Sequence, residues 1–137
     1  MARTPFQVEI LTPEGTVFDD QVEMISTMTS VGSVGVMANH TPLLAMLNSC
    51  ELRLHRDGGE ILRFAQAEGY MQVADNRAMI LVEEAVLATD LNPAAIEADL
   101  AEWRTKLEAA EVDSEAARLA ERNVARLEAF LQVAGNS

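Results

Sequence analysis

Cysteine is almost absent from this chain of 137 residues, because Cys50 is the only one. An internal disulfide is therefore excluded, and we expect a protein of a reducing compartment. Basic residues are scarce as well: 10 Lys and Arg stand against 22 Asp and Glu, which gives a formal net charge of −12. Nucleic acids and anionic lipids are bound through clustered basic residues, so we expect neither as a partner.

Long hydrophobic runs are also missing. No apolar run approaches the roughly 18 residues that cross a bilayer, and the stretch from Met1 to Pro5 lacks the apolar segment of a signal peptide. We therefore expect any membrane association to pass through a partner protein. What the chain does have is a hydrophobic fraction of 49%, which is enough to build a buried core.

Residues that commonly act as nucleophiles or soft-metal ligands are few, namely His40, Cys50 and His55. None of them falls in the spacing of a known metal site. Gly32 and Gly35 are not followed by the Lys-Ser/Thr pair of a phosphate-binding loop. The sequence therefore predicts no catalytic site, no metal site and no cofactor. A small enzyme or metalloprotein built on those two histidines and the cysteine is the alternative, which metal analysis would test.

The first two thirds of the chain have the pattern of short β-strands. Phe6, Val8 and Ile10 alternate with polar residues, which is typical of a strand with one buried face. The turn at 12–15 contains Pro and Gly, and the Asp-Gly-Gly at 57–59 is a hairpin signal. Turn signals recur about every 8–12 residues, which predicts an antiparallel β-sandwich.

The last third changes to a helical period. Asn92 and Pro93 form a helix start, and the segment 112–114 interrupts the pattern and offers a second N-cap. The predicted buried faces are Ile96, Leu100, Trp103 and Leu107 on the first helix and Ala116, Ala120, Val124, Leu127, Leu131 and Ala134 on the second. The predicted fold is thus α+β: a sandwich domain at 1–88 and a two-helix antiparallel hairpin at 89–137.

Alanine is frequent on both helical faces, so packing of the hairpin buries little apolar area. Since burial stabilises by roughly 25 cal/mol per Å², we expect this packing to be weak. We therefore expect the hairpin to be able to leave the sandwich and open.

A row of arginines marks the second helix. Arg118, Arg122 and Arg126 are spaced at i, i+4 and i+8, so they share one face in an acidic protein. One interpretation is a solvated face with Glu115 and Glu121 as neighbours. The other is a docking surface for an acidic partner.

Several segments together carry a resemblance to a known family: Thr12-Pro13-Glu14-Gly15 with Val17-Phe18, Gly32-Ser33-Val34-Gly35-Val36, Asn39-His40-Thr41-Pro42-Leu43-Leu44, Phe64 through Val73, and Asn76 through Glu84. With these segments the chain resembles the epsilon subunit of bacterial F-type ATP synthase over residues 5–131. The helical hairpin after Asp90 fits the same family.

The resemblance implies a non-catalytic rotor subunit of the central stalk, which couples the c-ring and the gamma subunit to the catalytic hexamer in proton-driven ATP synthesis. Its sandwich would bind gamma and the polar loops of the c-ring. Its hairpin would either fold against the sandwich or extend into the hexamer and block ATP hydrolysis. The location implied is peripheral, at the cytoplasmic face of a bacterial membrane.

The resemblance also implies roles for individual residues. Val31, Gly32 and Ser33 align with the loop that meets the c-ring, and many relatives have an acid where Ser33 stands. His40 and Pro42 belong to the segment near gamma. Arg118, Arg122 and Arg126 would face acidic helices of the catalytic alpha and beta subunits.

Some members of the family bind ATP on the hairpin through the motif [IL]-D-x-x-R-A. Here Asn92 stands in place of the Asp and Ala95 in place of the Arg, whereas Arg122 and Arg126 match the spacing of the second-helix arginines. We expect weak ATP binding or none. A free-standing nucleotide sensor with the same fold remains the alternative, and ATP-dependent compaction of the isolated protein would favour it.

Overall fold

The computed structural model describes residues 3–135, and within them ten β-strands precede two α-helices. The strands are β1 (Phe6–Thr12), β2 (Gly15–Val22), β3 (Met24–Thr29), β4 (Gly32–Met37), β5 (Leu43–Leu47), β6 (Cys50–His55), β7 (Ile61–Gln66), β8 (Gly69–Ala74), β9 (Arg77–Val82) and β10 (Ala85–Leu87). The helices are α1 (Pro93–Ala109) and α2 (Glu115–Gly135). None of the helices in this part of the chain is long and apolar enough to cross a bilayer.

The strands form one continuous hydrogen-bonded sheet in the order β10-β7-β6-β3-β5-β8-β9-β1-β2, with β4 on the other edge of β3. Only the pair Thr29 and Leu47 joins β3 to β5. The sheet folds over at this narrow junction, so that β10, β7, β6, β3 and β4 form one layer and the other five strands form the second. The predicted β-sandwich is confirmed.

The antiparallel sandwich contains one parallel ladder, which the sequence pattern did not predict. Residues 7–11 of β1 run parallel to residues 77–81 of β9, whereas the other ladders of the described chain are antiparallel. A parallel pair needs a long connection, and here most of the sandwich lies between the two strands. The tight turn after β1 leads instead to its antiparallel neighbour, β2.

The sandwich core lies between the two layers and is built by alternation. Phe6, Val8 and Ile10 of β1 are buried, as the sequence pattern predicts. The other buried members of this core are Val22, Ile25, Val36, Leu47, Leu52, Leu54, Phe64, Met71, Val73, Ala78, Ile80 and Val82. All of them belong to the sandwich, so this core is complete without the helices.

Both helix starts have the side-chain caps that the sequence predicts. Asn92 Oδ1 accepts a hydrogen bond from the Ala95 amide at 3.3 Å, and Pro93 is the first helical residue. Ser114 Oγ accepts from the Ala117 amide at 3.1 Å. The two helices pack against each other as a hairpin, which confirms that part of the predicted fold.

The buried face of α1 is the predicted one, with Ile96 and Leu100 buried and Trp103 and Leu107 half-buried. The face predicted for α2 was partly wrong, because Ala116 is exposed. The residues of α2 that are buried are Ala117, Ala120, Leu127, Phe130 and Val133. The reason is that α2 packs on two sides, against α1 and against the sandwich, so its apolar face is wider than a free hairpin requires.

Two neighbouring strands approach each other so closely at Gly69 that only glycine fits there. A Cβ atom at Gly69 would overlap the carbonyl oxygen of Leu81 and lie 2.7 Å from the Cα atom of Val82, and both are backbone atoms that cannot swing away. We predict that Gly69→Ala lowers the free energy of unfolding by about 1–3 kcal/mol through overpacking. Urea unfolding measures the effect.

Gly35→Ala is the matched control, since Gly35 also lies inside a strand and its nearest neighbour would be 3.9 Å away. Equal effects of the two substitutions would contradict the steric explanation.

Candidate functional site

The hairpin docks on the outer face of the sandwich through α2, which packs against β6 and β7. Ala65 and Ala67 of the sandwich form a second apolar cluster with Leu127, Phe130 and Val133 of α2. The side chains of Ile96 and Leu100 extend this cluster from α1. Because the sandwich contributes mainly alanines, the apolar contact between the two parts is small.

An ion pair crosses the contact near the middle of α2. Arg126 Nη1 lies 2.9 Å from Glu84 Oε1, and the two side chains are 24% and 45% exposed. Arg126 Nη2 donates to Asn123 Oδ1 at 3.2 Å, and its guanidinium lies 5.6 Å from the centre of the Phe130 ring. The last of the three predicted arginines is therefore engaged within the molecule.

A second polar contact holds the C-terminal end of α2. Arg63 Nη2 of β7 donates to the carbonyl oxygen of Val133 at 2.9 Å, and Arg63 Nε donates to Glu51 Oε1 at 2.9 Å. Arg53 binds the same carboxylate. A cation from the sheet thus satisfies a carbonyl group at the negative end of the α2 dipole.

The other two predicted arginines lie in different surroundings. Arg118 is exposed, and its Nη1 donates to the Asp113 carbonyl at 2.8 Å, in the loop before α2. Arg122 is exposed and lines a groove of about 540 Å³ between α2 and the sandwich. This α2 groove is also lined by Met46, Glu68, Tyr70, Glu83, Leu119 and Arg126.

The β3–β4 turn presents Val31, whose side chain is 95% exposed. Thr29 Oγ1 accepts from the Val31 amide at 3.2 Å and donates to the Gly32 carbonyl at 2.8 Å. Asn48 Nδ2 donates to the Thr29 carbonyl at 3.2 Å. Gly32 has φ of 131°, which favours glycine. The predicted loop Val31–Ser33 is thus a preorganised turn with an apolar tip.

His40 lies in a loop that is tied to the β8–β9 turn. Its Nδ1 donates to the Thr41 carbonyl at 2.7 Å, and the Asn39 amide donates to Asn76 Oδ1 at 2.7 Å. Pro42 follows and is exposed. Asn39 has φ of 61°, which asparagine tolerates.

Sequence reasoning missed an exposed apolar surface on the outer face of the second layer. We call it the apolar strip: Leu44, Met46, Tyr70 and Leu81, which are 72%, 59%, 51% and 43% exposed. Strand register places Met46 beside Tyr70 and Tyr70 beside Leu81. The continuous apolar run at 43–47 carried the signal, because alternate residues of a half-buried strand must face outwards.

The three candidate metal or nucleophile residues have ordinary local partners. His55 Nε2 lies 3.2 Å from Ser26 Oγ, and burial lowers the pKa of His55, helped by the charges of Arg3 and Arg53. Cys50 Sγ lies 3.4 Å from Thr27 Oγ1. Within residues 3–135 there is no group of three or more His, Cys, Asp or Glu residues that could hold a metal ion.

The fold and these surfaces define a class of protein, a β-sandwich with a docked helical hairpin and exposed surfaces suited to protein partners. A family model described as ATP synthase, Delta/Epsilon chain, beta-sandwich domain matches residues 5–88. The ATP synthase epsilon chain of Syntrophomonas wolfei is 32% identical over 132 residues, covering 94% of this chain and 96% of the relative. That of Roseiflexus sp. is 39% identical over 94 residues, covering 69% and 67%. The chain therefore belongs to the ATP synthase delta/epsilon chain family, which confirms the predicted epsilon subunit.

Two solved structures share the fold over nearly all of this chain. One is a chain of the Euglena gracilis mitochondrial ATP synthase (OSCP/F1/c-ring), with a TM-score of 0.77, 21% identity and coverage of 95% of this chain and 81% of that one. The other is a chain of the Tetrahymena thermophila mitochondrial ATP synthase (central stalk/c-ring), with a TM-score of 0.63, 18% identity and coverage of 98% and 99%.

The Glu51 carboxylate makes stability depend on pH. Burial alone would raise the pKa of Glu51, but hydrogen bonds and charges from Arg53 and Arg63 outweigh it and hold that pKa below its ordinary value of 4.5. Such a group stabilises the folded state above its unfolded pKa and stops doing so as pH falls through the folded pKa. We predict that wild type is more stable than Glu51→Gln at neutral pH, and that the difference shrinks below pH 4.5. Urea unfolding from neutral pH down to about pH 3 tests this, and a difference independent of pH would contradict it.

Proposed function

We propose that this chain is a non-catalytic rotor subunit of a bacterial ATP synthase. Its sandwich binds the gamma subunit and the c-ring, and its hairpin inhibits ATP hydrolysis. The observation that carries the proposal is the apolar strip, four large exposed side chains on a rigid sheet of an otherwise acidic protein. Contiguous apolar surface of this kind is typical of a protein interface.

The strip is the surface that we assign to gamma. Its four side chains stand on three adjacent strands whose inner faces are locked in the core, so they are presented without loss of backbone entropy. The loop with His40 and Pro42 is the second part of this surface. It leads directly into β5, the strand that carries Leu44 and Met46.

The β3–β4 turn is the surface that we assign to the c-ring. Val31 supplies an apolar tip, Gly32 permits the tight turn, and Ser33 is an exposed polar group beside them. The buried hydroxyl of Thr29 fixes the turn before any partner binds, which favours contact with a narrow polar loop. Location at the cytoplasmic face of the membrane then follows from the complex.

The hairpin is the part that we assign to inhibition of the alpha and beta subunits, through Arg118, Arg122 and Arg126. Residues 1–88 would act as the anchor and residues 89–137 as the regulatory unit. The small, alanine-rich contact between them suits an element with two positions that partners bias.

A free-standing nucleotide sensor is the second candidate, because Arg122 and Arg126 line one groove of suitable size. Two features weigh against it. Glu68 and Glu83 line the same groove and repel phosphate, and the Arg126 guanidinium is already paired with the Glu84 carboxylate.

Affinity purification of the tagged protein from solubilised membranes separates the candidates. The rotor proposal expects gamma, alpha, beta and the c-ring to be recovered with it.

The strip predicts the effect of one polar substitution on gamma binding. We expect Leu81→Gln to weaken binding to the purified gamma subunit by about tenfold or more, since it places an amide in an apolar contact. Calorimetry or biolayer interferometry measures this. Ile61→Gln is the matched control, because Ile61 is equally exposed at 43% but lies on the other layer. Equal affinities of the two variants would argue against the strip as the gamma surface.

The division of labour predicts the effect of removing the hairpin. A complex assembled with the chain lacking residues 89–137 should retain its composition and hydrolyse ATP faster than the complete complex. The reason is that the anchor surfaces lie on the sandwich and the inhibitory arginines lie on α2. Native gels and a coupled ATPase assay measure the two results, and loss of assembly would show that the sandwich is not the anchor.

A further inference from the structure

We propose that Glu84 is a positioning residue: it holds Arg126 in the docked hairpin and competes for it with the acidic partner surface that binds the undocked hairpin. The competition rests on the inhibitory role proposed above, whereas the docking contact stands on the geometry of this chain alone.

Glu84 is well placed for this role, because its backbone is fixed while its carboxylate points to α2. The residue lies in the short connection between β9 and β10, and its carbonyl oxygen accepts from the Ala67 amide at 2.8 Å, at the end of β7. The carboxylate therefore stands on the sandwich, and its partner Arg126 stands on the hairpin. When α2 leaves, this ion pair must break.

Arg126 is held by more than one group in the docked state. The face of its guanidinium lies near the ring of Phe130, which is 3% exposed, and Asn123 accepts from its second terminal nitrogen. These neighbours belong to the same helix and travel with the arginine. The only group on the sandwich, within the described residues, that pairs with this cation is Glu84.

The other two arginines of the row form no ion pair with the sandwich among the described residues, so undocking does not have to free them. Arg118 donates to the Asp113 carbonyl in the loop before α2, and Arg122 is exposed beside the α2 groove. In the docked hairpin the row therefore offers two available cations, and undocking adds the third at the i+8 position. Docking and full charge complementarity to an acidic surface are thus mutually exclusive, and the exclusion acts through one side chain.

The contact at the end of α2 does not have this property. Arg63 donates from the sandwich to the Val133 carbonyl, so its loss uncovers a carbonyl group and no cation on the hairpin. Both contacts favour the docked state, but only the one through Glu84 changes what the undocked hairpin presents. Loss of a half-exposed ion pair changes the equilibrium between the docked and the undocked hairpin by about two- to fivefold, so both states stay accessible.

The docked fraction can be measured with a thiol reporter in the full-length chain. Ala65 is 0% exposed beneath α2, so Ala65→Cys in a Cys50→Ser background reacts with a maleimide only when the hairpin leaves. When docking is fast relative to the reaction, the rate is proportional to the undocked fraction. We expect Glu84→Gln to raise the rate about two- to fivefold.

Glu83→Gln is the matched control, since Glu83 is the adjacent exposed carboxylate and makes no ion pair among the described residues. Its rate should equal that of the unmodified reporter chain. Equal rates for Glu84→Gln and Glu83→Gln would overturn the proposal, because the carboxylate at 84 would then not hold the hairpin.

Inhibition of ATP hydrolysis by the reconstituted complex distinguishes the proposed competition from a purely structural role of the ion pair. Glu84→Gln and Arg126→Gln both break the ion pair, so both should raise the alkylation rate. Glu84→Gln keeps the cation and should strengthen inhibition, whereas Arg126→Gln removes it and should weaken inhibition. Changes in the same direction would overturn the competition.

Hydrolysis that is the same with and without the wild-type chain would overturn the inhibitory role, and the competition with it. The alkylation rates would still decide the docking contact, because they are measured on the isolated chain.

Discussion

The contact between α2 and the outer face of β6 and β7 is the constraint on which the arrangement of the molecule depends. It gives α2 two packed sides, one toward the sheet and one toward α1. Small residues on the sandwich, Ala65 and Ala67, let the helix approach closely and bury Phe130 and Val133. The same small residues limit the apolar area that the contact removes from water. Polar contacts therefore contribute a large share of the free energy that holds the hairpin on the sandwich.

Those polar contacts use cations, the sign of charge that the chain has less of. With 10 basic and 22 acidic residues, carboxylates are plentiful and each cation is a scarce partner. Two of the arginines are used at this contact, Arg63 from the sheet side and Arg126 from the helix side. Arginine suits the position because its planar group bonds to several acceptors at once. Arg63 does so with Glu51 and the Val133 carbonyl, which links two strands to the end of a helix.

Sequence reasoning could predict what local chemistry decides. Alternation in β1, the caps at Asn92 and Ser114 and the Asp-Gly-Gly hairpin are all properties of a few consecutive residues. It could not predict the parallel neighbour of β1 or the wider buried face of α2, because both depend on which distant element packs alongside. The apolar strip was missed for a similar reason: Leu44 and Met46 look like core residues until the strand's buried side is known. The ion pair of Glu84 with Arg126 joins residues 42 positions apart, and no local pattern contains it.

The division of the chain into two apolar clusters explains how the hairpin can move without unfolding the sandwich. The first cluster is built from the strands alone, so departure of α2 removes none of its members. The second cluster would be divided, and the sandwich would uncover mainly small side chains, Ala65 and Ala67, together with the partly buried Val86. The hairpin would uncover larger side chains, such as Phe130, whose exposure to water is unfavourable. Undocking therefore exposes little apolar surface on the sandwich and more on the helices, so a partner that covers the apolar face of the hairpin stabilises the undocked state. It follows that the position of the hairpin reports the presence of that partner, which is the property that a regulatory subunit needs.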